Sequence, residues 1–287
     1  MILVLGASGY IGNNLYKNFL EEGFDVAGTY SSKKIDGLIH FDIRNMNLDK
    51  INLSKKISHI IISSGINISI DNSKKDWKNS YYVNVTKTKK IIDYCFDKNI
   101  TPIYISSDGV FDGQKGGYVE IDKKNPINCY GVIKNEVEDY LLKSGNKFII
   151  LRMGRVFGAD LNDNTIITNT VRQLKERKKL LCADDEIFTP IYIKDLSIAL
   201  IQLVRKGYEG VIHLISIEAT SRYKIAMAVK KYFNLHDTEI IPCKINSLGL
   251  LEKRPLLINL DSSKSNSLIG NKHYDIGYYL DIIKKKI

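Results

Sequence analysis

The 287-residue chain has only four cysteines, Cys95, Cys129, Cys182 and Cys243, and they lie far apart. No C-x-x-C pair and no H-x-x-x-H spacing occurs, so neither a disulfide framework nor a zinc site is expected. A reduced, cytoplasmic protein fits this usage. No apolar run approaches the ~20 residues of a membrane span. Met1–Leu5 lacks a basic leader and meets glycines at once, so no signal peptide is expected there. The net charge of +10 is scattered rather than striped, and no nucleic-acid module accompanies it. Anionic small ligands gain equally from such a field. Lys284-Lys285-Lys286 reads as a solvated helix end, where cations are favoured.

Short apolar runs rich in Ile and Val alternate with longer amphipathic stretches. Strands are expected at Ile2–Leu5, Asp25–Thr29, Gly37–Phe41, His59–Ser63, Ile103–Ser106 and Phe148–Leu151. Helices are expected near Gly12–Glu22, Trp77–Lys98 and Gly131–Lys143. Buried parallel strands read as continuous apolar runs with helical crossovers. The alternation therefore predicts an α/β fold, a Rossmann-like doubly wound parallel sheet over residues 1–151. Residues 152–287 read mainly as a smaller C-terminal α/β substrate-binding lobe, with about 189–215 returning to the first domain. Helices are expected there at Thr165–Lys179, Lys194–Arg205 and Arg222–Phe233, with a strand end at Pro190–Ile193.

Gly6-Ala7-Ser8-Gly9-Tyr10-Ile11-Gly12 follows the first strand and opens a helix. Gly6 permits the tight turn, Gly9 lets backbone amides approach a pyrophosphate, and Gly12 lets the helix pack on the strand. A helix N-terminus then faces the anion. This predicts dinucleotide binding by Gly6, Ser8, Gly9, Tyr10, Ile11 and Gly12. The second strand ends in Thr29-Tyr30-Ser31-Ser32-Lys33-Lys34, with no carboxylate for ribose hydroxyls. Tyr30, Ser31, Ser32 and Lys33 suit a 2′-phosphate, so NADPH is expected over NADH; an exposed basic loop is the plainer reading. Asp42, beside Ile43, is placed to accept from an adenine amine or to end a surface turn. Ser63, Ser64 and Gly65 leave the fourth strand on the same side.

Tyr130 and Lys134 form a Tyr-x-x-x-Lys pair at the start of a predicted helix, which puts both side chains on one face. The ammonium is expected to lower the phenol pKa and prepare Tyr130 to protonate a carbonyl oxygen. Ser106 and Ser107 leave the fifth strand at the end where open sheets bind ligands. A serine there can steady a developing oxyanion.

Together, the glycine loop, Ser106-Ser107-Asp108-Gly109-Val110-Phe111-Asp112-Gly113 and Tyr130-Gly131-Val132-Ile133-Lys134 resemble the extended short-chain dehydrogenases/reductases. Among these the chain is most similar to the dTDP-4-dehydrorhamnose reductase family, with further likeness at Leu151–Gly158, Thr189–Leu196, Arg254-Pro255 and Leu260-Asp261. The resemblance implies reduction of a keto group, at C4 of a 4-keto-6-deoxy sugar nucleotide, by NADPH. It implies Ser107, Tyr130 and Lys134 as catalytic residues, with Lys134 also on the nicotinamide ribose. It implies Asn84, Val110, Phe111, Met153, Arg155 and Arg254 as substrate contacts, and Arg152 beside the nicotinamide. Asn84 also fits a plain helix interior, and Arg254 a surface cation. Two rival readings go with the resemblance: an NADP-holding regulatory subunit without turnover, and an epimerase or dehydratase that retains NAD. A homodimer is a common assembly of such chains. The sequence departs from the family at Gly109, where an aromatic is usual, and at Ser64-Gly65-Ile66-Asn67, which lacks an alanine-rich stretch. Both bear on the sugar rather than on hydride transfer.

Overall fold

The computed structural model describes every residue except Met46, Asn52, Ser54, Asn67, Ile68, Arg177, Lys178, Asn271, Lys272 and Ile287. The chain opens with β1 (Ile2–Leu5), α1 (Tyr10–Glu21), β2 (Val26–Tyr30), β3 (Ile39–His40) and β4 (His59–Ile62). Then α2 (Ile70–Lys75) and α3 (Trp77–Tyr81) lead through a π-helical segment, Tyr82–Lys87, into α4 (Thr88–Asp97). Next come β5 (Thr101–Ile105), α5 (Cys129–Lys143), β6 (Ile149–Met153), β7 (Val156–Phe157), α6 (Ile166–Glu176) and β8 (Lys179–Ala183). β9 (Ile191–Tyr192), α7 (Ile193–Arg205), β10 (Gly210–Leu214), α8 (Arg222–Tyr232), β11 (Glu239–Cys243), α9 (Ser263–Ile269) and α10 (Ile276–Lys284) complete it.

Seven strands form one parallel sheet in the order β10-β6-β5-β4-β1-β2-β3. The Rossmann-like α/β class expected from the alternation is the class observed. Strand parity builds the two cores. Ile2 and Val4 face a cluster with Leu15 and Phe19 of α1 and Leu200 of α7. Leu3 and Leu5 face the other, with Ile91 and Ile92 of α4 and Val137 of α5. Helices thus cover both faces, as a buried parallel sheet requires.

β10 and α2 are elements the sequence reading did not anticipate. β10 pairs with β6 through Gly210–Leu214, inside the 189–215 stretch expected to return to the first domain, although no strand was expected there. The expected strand at Gly37–Phe41 shrinks to Ile39–His40, and the helix expected over Thr165–Lys179 ends at Glu176. Arg177 and Lys178, in that expected stretch, lie outside the described residues, as does Asn67. Two small parallel pairs, β8 with β11 and β7 with β9, carry the rest. Among the described residues no helix is long and apolar enough to cross a membrane, and no group of three His, Cys, Asp or Glu is set to hold a metal ion.

Candidate active site

The first turn behaves as its glycines demand. Gly6 has φ of +83°, a conformation L side chains rarely adopt. A Cβ on Gly12 would stand 2.2 Å from the Gly6 carbonyl oxygen, so the helix meets the strand only because that atom is absent. α1 is preceded at its N-terminus by Gly9, which offers no side-chain cap. The free N–H groups of α1 could hold an anion. Ser8, Gly9 and Tyr10 are at least partly open to solvent, while the Tyr10 hydroxyl donates to Asp163 of the C-terminal half at 3.2 Å.

Beyond β2, Ser31, Ser32 and Lys33 are exposed and Tyr30 leans on His40, ring centroids 5.3 Å apart. Asp42 is clamped by Arg44, whose Nη2 lies 2.6 Å from it, and that hydrogen-bonded guanidinium holds the carboxyl below its ordinary range. Ile43 is half-buried beside it. These residues stand apart from the cleft described next.

That cleft, of about 530 Å³, opens at the C-terminal ends of β4, β5 and β6. Ile11, Ser63, Ser64, Gly65, Asn84, Ser107, Tyr130, Lys134, Met153, Arg155 and Arg254 all line it. The tertiary structure thus gathers the end of the glycine turn and the Ser-Tyr-Lys set from separate segments. Ser63 is fixed by donating to the Leu5 carbonyl at 2.7 Å. Asn84, in the π-helical segment, binds both the N–H (2.9 Å) and the carbonyl (2.7 Å) of Ile66. It therefore shapes the loop after β4.

Ser107 Oγ donates to Asp108 Oδ1 at 2.8 Å and accepts from the Gly109 N–H at 3.1 Å. Burial pushes the Asp108 carboxyl up to about 6, with the Ser107 hydrogen bond and the Arg155 charge pulling the other way. Burial also pushes the Tyr130 phenol up to about 12, opposed by the Ser107 hydroxyl that faces it. The expected lowering by Lys134 is therefore corrected. The ammonium donates to the Ile105 carbonyl at 2.7 Å and sits 5.7 Å from the phenol ring centroid, so desolvation outweighs its charge. Burial brings Lys134 itself down to about 8, against the pull of Glu138.

Two further sequence expectations, for Val110 with Phe111 and for Arg152, are corrected by packing. Val110 and Phe111 are fully buried in a small cluster with Tyr118, Ile215 and Leu260, and the Phe111 ring stacks on Tyr118 at 4.1 Å. They hold the loop after β5 against the C-terminal segment and do not face the cleft. Arg152 is 2% exposed and chelates Glu138, with Nη2 2.7 Å from Oε2. β6 points it into the sheet-helix interface and away from a nicotinamide. Arg254 does line the cleft, but its Nη2 donates to Asp71 at 2.8 Å.

Asp108, Glu186 and Arg222 line the cleft and were not singled out by the sequence. Asp108 was visible inside the Ser-Ser-Asp motif. Glu186 and Arg222 carry no local signal, because they meet Arg155 only through the packing of β6, β9 and α8. Gly109 packs beside the Tyr130 and Ser107 side chains; a Cβ there would lie in ordinary contact, 3.4 Å from Tyr130 Cδ1 and 3.5 Å from Ser107 Oγ.

A family model described as the RmlD substrate binding domain matches residues 1–279. The chain is 29% identical to a dTDP-4-dehydrorhamnose reductase of Aggregatibacter actinomycetemcomitans over 79% of this chain and 77% of that one. It is 26% identical to methionine adenosyltransferase 2 subunit beta of Xenopus tropicalis over 94% and 83%. The crystal structure of a hypothetical dTDP-4-dehydrorhamnose reductase from Sulfolobus tokodaii superposes with a TM-score of 0.85 at 28% identity, covering 96% of this chain and 97% of that one.

Proposed function

The chain belongs to the RmlD substrate binding domain family, and from that premise we propose that it reduces a keto group of a sugar nucleotide with NADPH. C4 of a 4-keto-6-deoxy sugar is the position in view. The relative from Aggregatibacter carries such an activity in its name. The observation that carries the reading is the convergence of Ser107, Tyr130 and Lys134 on one cleft with Ile11 and Ser63–Gly65. In it, residues 1–151 with the later return hold the dinucleotide, and residues 152–287 mainly hold the substrate.

The dinucleotide site fits its group. The Gly6–Gly12 approach leaves no room for side chains, α1 offers uncapped N–H groups, and the buried Ser64 Oγ has no hydrogen-bond partner. Gly6, Ser8, Gly9, Tyr10, Ile11 and Gly12 would hold the pyrophosphate, Tyr30–Lys33 the adenosine end, and Ser63–Gly65 with Lys134 the nicotinamide ribose. When bound, the reduced nicotinamide supplies hydride to the carbonyl carbon. Tyr130, kept protonated by its burial, gives its proton to the carbonyl oxygen. Ser107 holds that oxygen as charge develops on it. Asp108 and the Gly109 N–H fix the Ser107 hydroxyl. Lys134 places positive charge behind the phenol.

NADPH consumption with a panel of 4-keto sugar nucleotides carrying different bases tests the proposal. A regulatory subunit without turnover is the rival, favoured by the likeness to methionine adenosyltransferase 2 subunit beta over nearly the whole chain. Tight NADPH binding with no oxidation by any member of the panel would select that rival.

Lys33→Ala is expected to lower kcat/KM for NADPH about tenfold and leave NADH within twofold, because one exposed cation on a 2′-phosphate is worth ~1.4 kcal/mol. An equal change for both cofactors would remove the 2′-phosphate role. The pH profile gives a second check. Lys134 is charged below about 8 and loses its proton as pH rises through that value. kcat/KM for NADPH, which reports free-enzyme groups, is therefore expected to fall on the alkaline side of about pH 8. A profile flat to roughly two units higher contradicts the role given to Lys134.

A further inference from the structure

Tyr130 sits in the first turn of α5, and that turn is gripped by the C-terminal half of the chain. A helix N-terminus leaves its first N–H groups without intrahelical partners. Asn128 answers one of them, accepting from the Gly131 N–H at 2.9 Å. The N–H of Cys129, the residue beside Tyr130, is answered from 123 positions away, donating to Glu252 Oε2 at 2.7 Å. The Glu252 side chain is only 11% exposed, so water competes little for that bond.

Glu252 is itself fixed. Its own N–H donates to Asp71 Oδ1 of α2 at 3.3 Å, and Lys74 Nζ of the same helix stands 4.0 Å from its carboxylate. The Lys253 carbonyl accepts from Asn128 Nδ2 at 3.3 Å. Arg254 donates from Nη1 to the Glu252 carbonyl at 2.9 Å and from Nη2 to Asp71 at 2.8 Å. Each of residues 252–254 is thus tied to α2, to the start of α5 or to both. Further along, the Leu257 N–H donates to the Gly113 carbonyl at 2.9 Å, in the loop after β5. The same piece of chain places Arg254 and Pro255 in the cleft wall. The seat it sets for α5 is narrow. A Cβ on Gly131 would stand 2.2 Å from the Gly109 carbonyl oxygen, so the turn carrying Tyr130 abuts the loop carrying Ser107.

We infer that Glu252 is a positioning residue for Tyr130: its carboxylate oxygen holds the first turn of α5 so that the phenol meets the substrate carbonyl beside Ser107. The inference rests on the reductase reading above and adds to it a residue outside the Ser-Tyr-Lys set, supplied by the C-terminal half. A cap that only stabilised α5 would act on melting and leave turnover of the folded enzyme alone. Proton delivery is more sensitive to place. A misplacement of ~1 Å, caused from outside the reacting groups, can cost ~10²-fold in rate. The task needs the oxygen of Glu252 rather than its charge, since an amide oxygen also accepts from an N–H.

The test compares Glu252→Ala and Glu252→Gln with the unmodified protein, on the keto sugar nucleotide of the panel that the unmodified protein reduces. The alanine variant is expected to lower kcat at least ~10-fold, with NADPH affinity by fluorescence titration unchanged. The solvent isotope effect on kcat in D2O should rise with it, as proton delivery becomes the slow step. The glutamine variant should restore kcat to within about threefold and return the isotope effect to that of the unmodified protein. An alanine variant that turns over within about threefold of the unmodified protein overturns the inference. So do equal losses in the two variants, which assign the effect to charge at the helix end. Loss of cofactor affinity and of melting temperature together with kcat marks a structural cap and overturns it as well. If the unmodified protein oxidises NADPH with no member of the panel, the reductase reading itself fails and the inference falls with it. That result is distinct from the others, in which the unmodified protein is active.

Discussion

Tyr130→Phe is expected to lower kcat by ~10²–10⁴-fold while the protein still binds NADPH. The hydroxyl is the only part of the side chain the substitution removes. The ring keeps its seat against Gly109, where an added Cβ would lie 3.4 Å from Cδ1, so the fold has no reason to respond. The chemistry does. Burial pushes the phenol up to about 12, which keeps its proton in place at neutral pH until a strong base appears. An oxyanion forming as hydride arrives is such a base. Without Tyr130 the proton must come from water, and only Ser107 is left to hold the oxygen. The check is steady-state NADPH oxidation beside cofactor titration by fluorescence. Turnover within threefold of the unmodified enzyme would remove Tyr130 as the acid.

Arg152→Met is expected to cost ~3 kcal/mol of stability, the low end for breaking a buried ion pair, because it removes the main partner of a buried carboxylate. Glu138 is fully buried and accepts from Arg152 Nε at 3.0 and 3.1 Å and from Nη2 at 2.7 Å. Ser106 Oγ, at 2.5 Å, and Lys124 Nζ, at 3.2 Å, remain after the substitution, so the loss is partial rather than complete. Arg152 Nη1 also donates to the Glu120 carbonyl at 3.0 Å. For a chain of this size each kcal/mol shifts Tm by roughly 2–4 °C, so a fall of about 10 °C is expected. Arg152→Met with Glu138→Leu should recover most of it, since removing both charges removes the stranded one. Thermal melts of the two variants decide this. A single variant that melts within about 2 °C of the unmodified protein would mean that Lys124 and Ser106 suffice. The same network ties the strand end carrying Ser106 to the helix carrying Lys134, so activity should fall with the order of that helix before global unfolding.

Gly109 and Arg222 show why similarity of fold leaves the substrate open. Both line the cleft beside the groups assigned to catalysis, one by having no side chain and the other by bringing a charge. Neither alters the sheet. Function rests on such positions, and a superposition of backbones does not weigh them.

The Gly6–Gly12 turn, the parallel sheet and the Tyr130–Lys134 pair were readable in the linear order of residues. Each is a local pattern: a glycine spacing, an apolar run bounded by polar residues, a four-residue helical repeat. What the fold alone decided was the environment those residues enter. Arg152 and Arg155 lie three positions apart, yet one is sealed against Glu138 and the other opens into the cleft, because β6 ends between them. Glu186 reaches Arg155 across 31 residues of chain, with no periodicity to announce it. The Tyr130 phenol moves up rather than down because desolvation sums over every element packed around it, while a sequence shows only the charge four residues away.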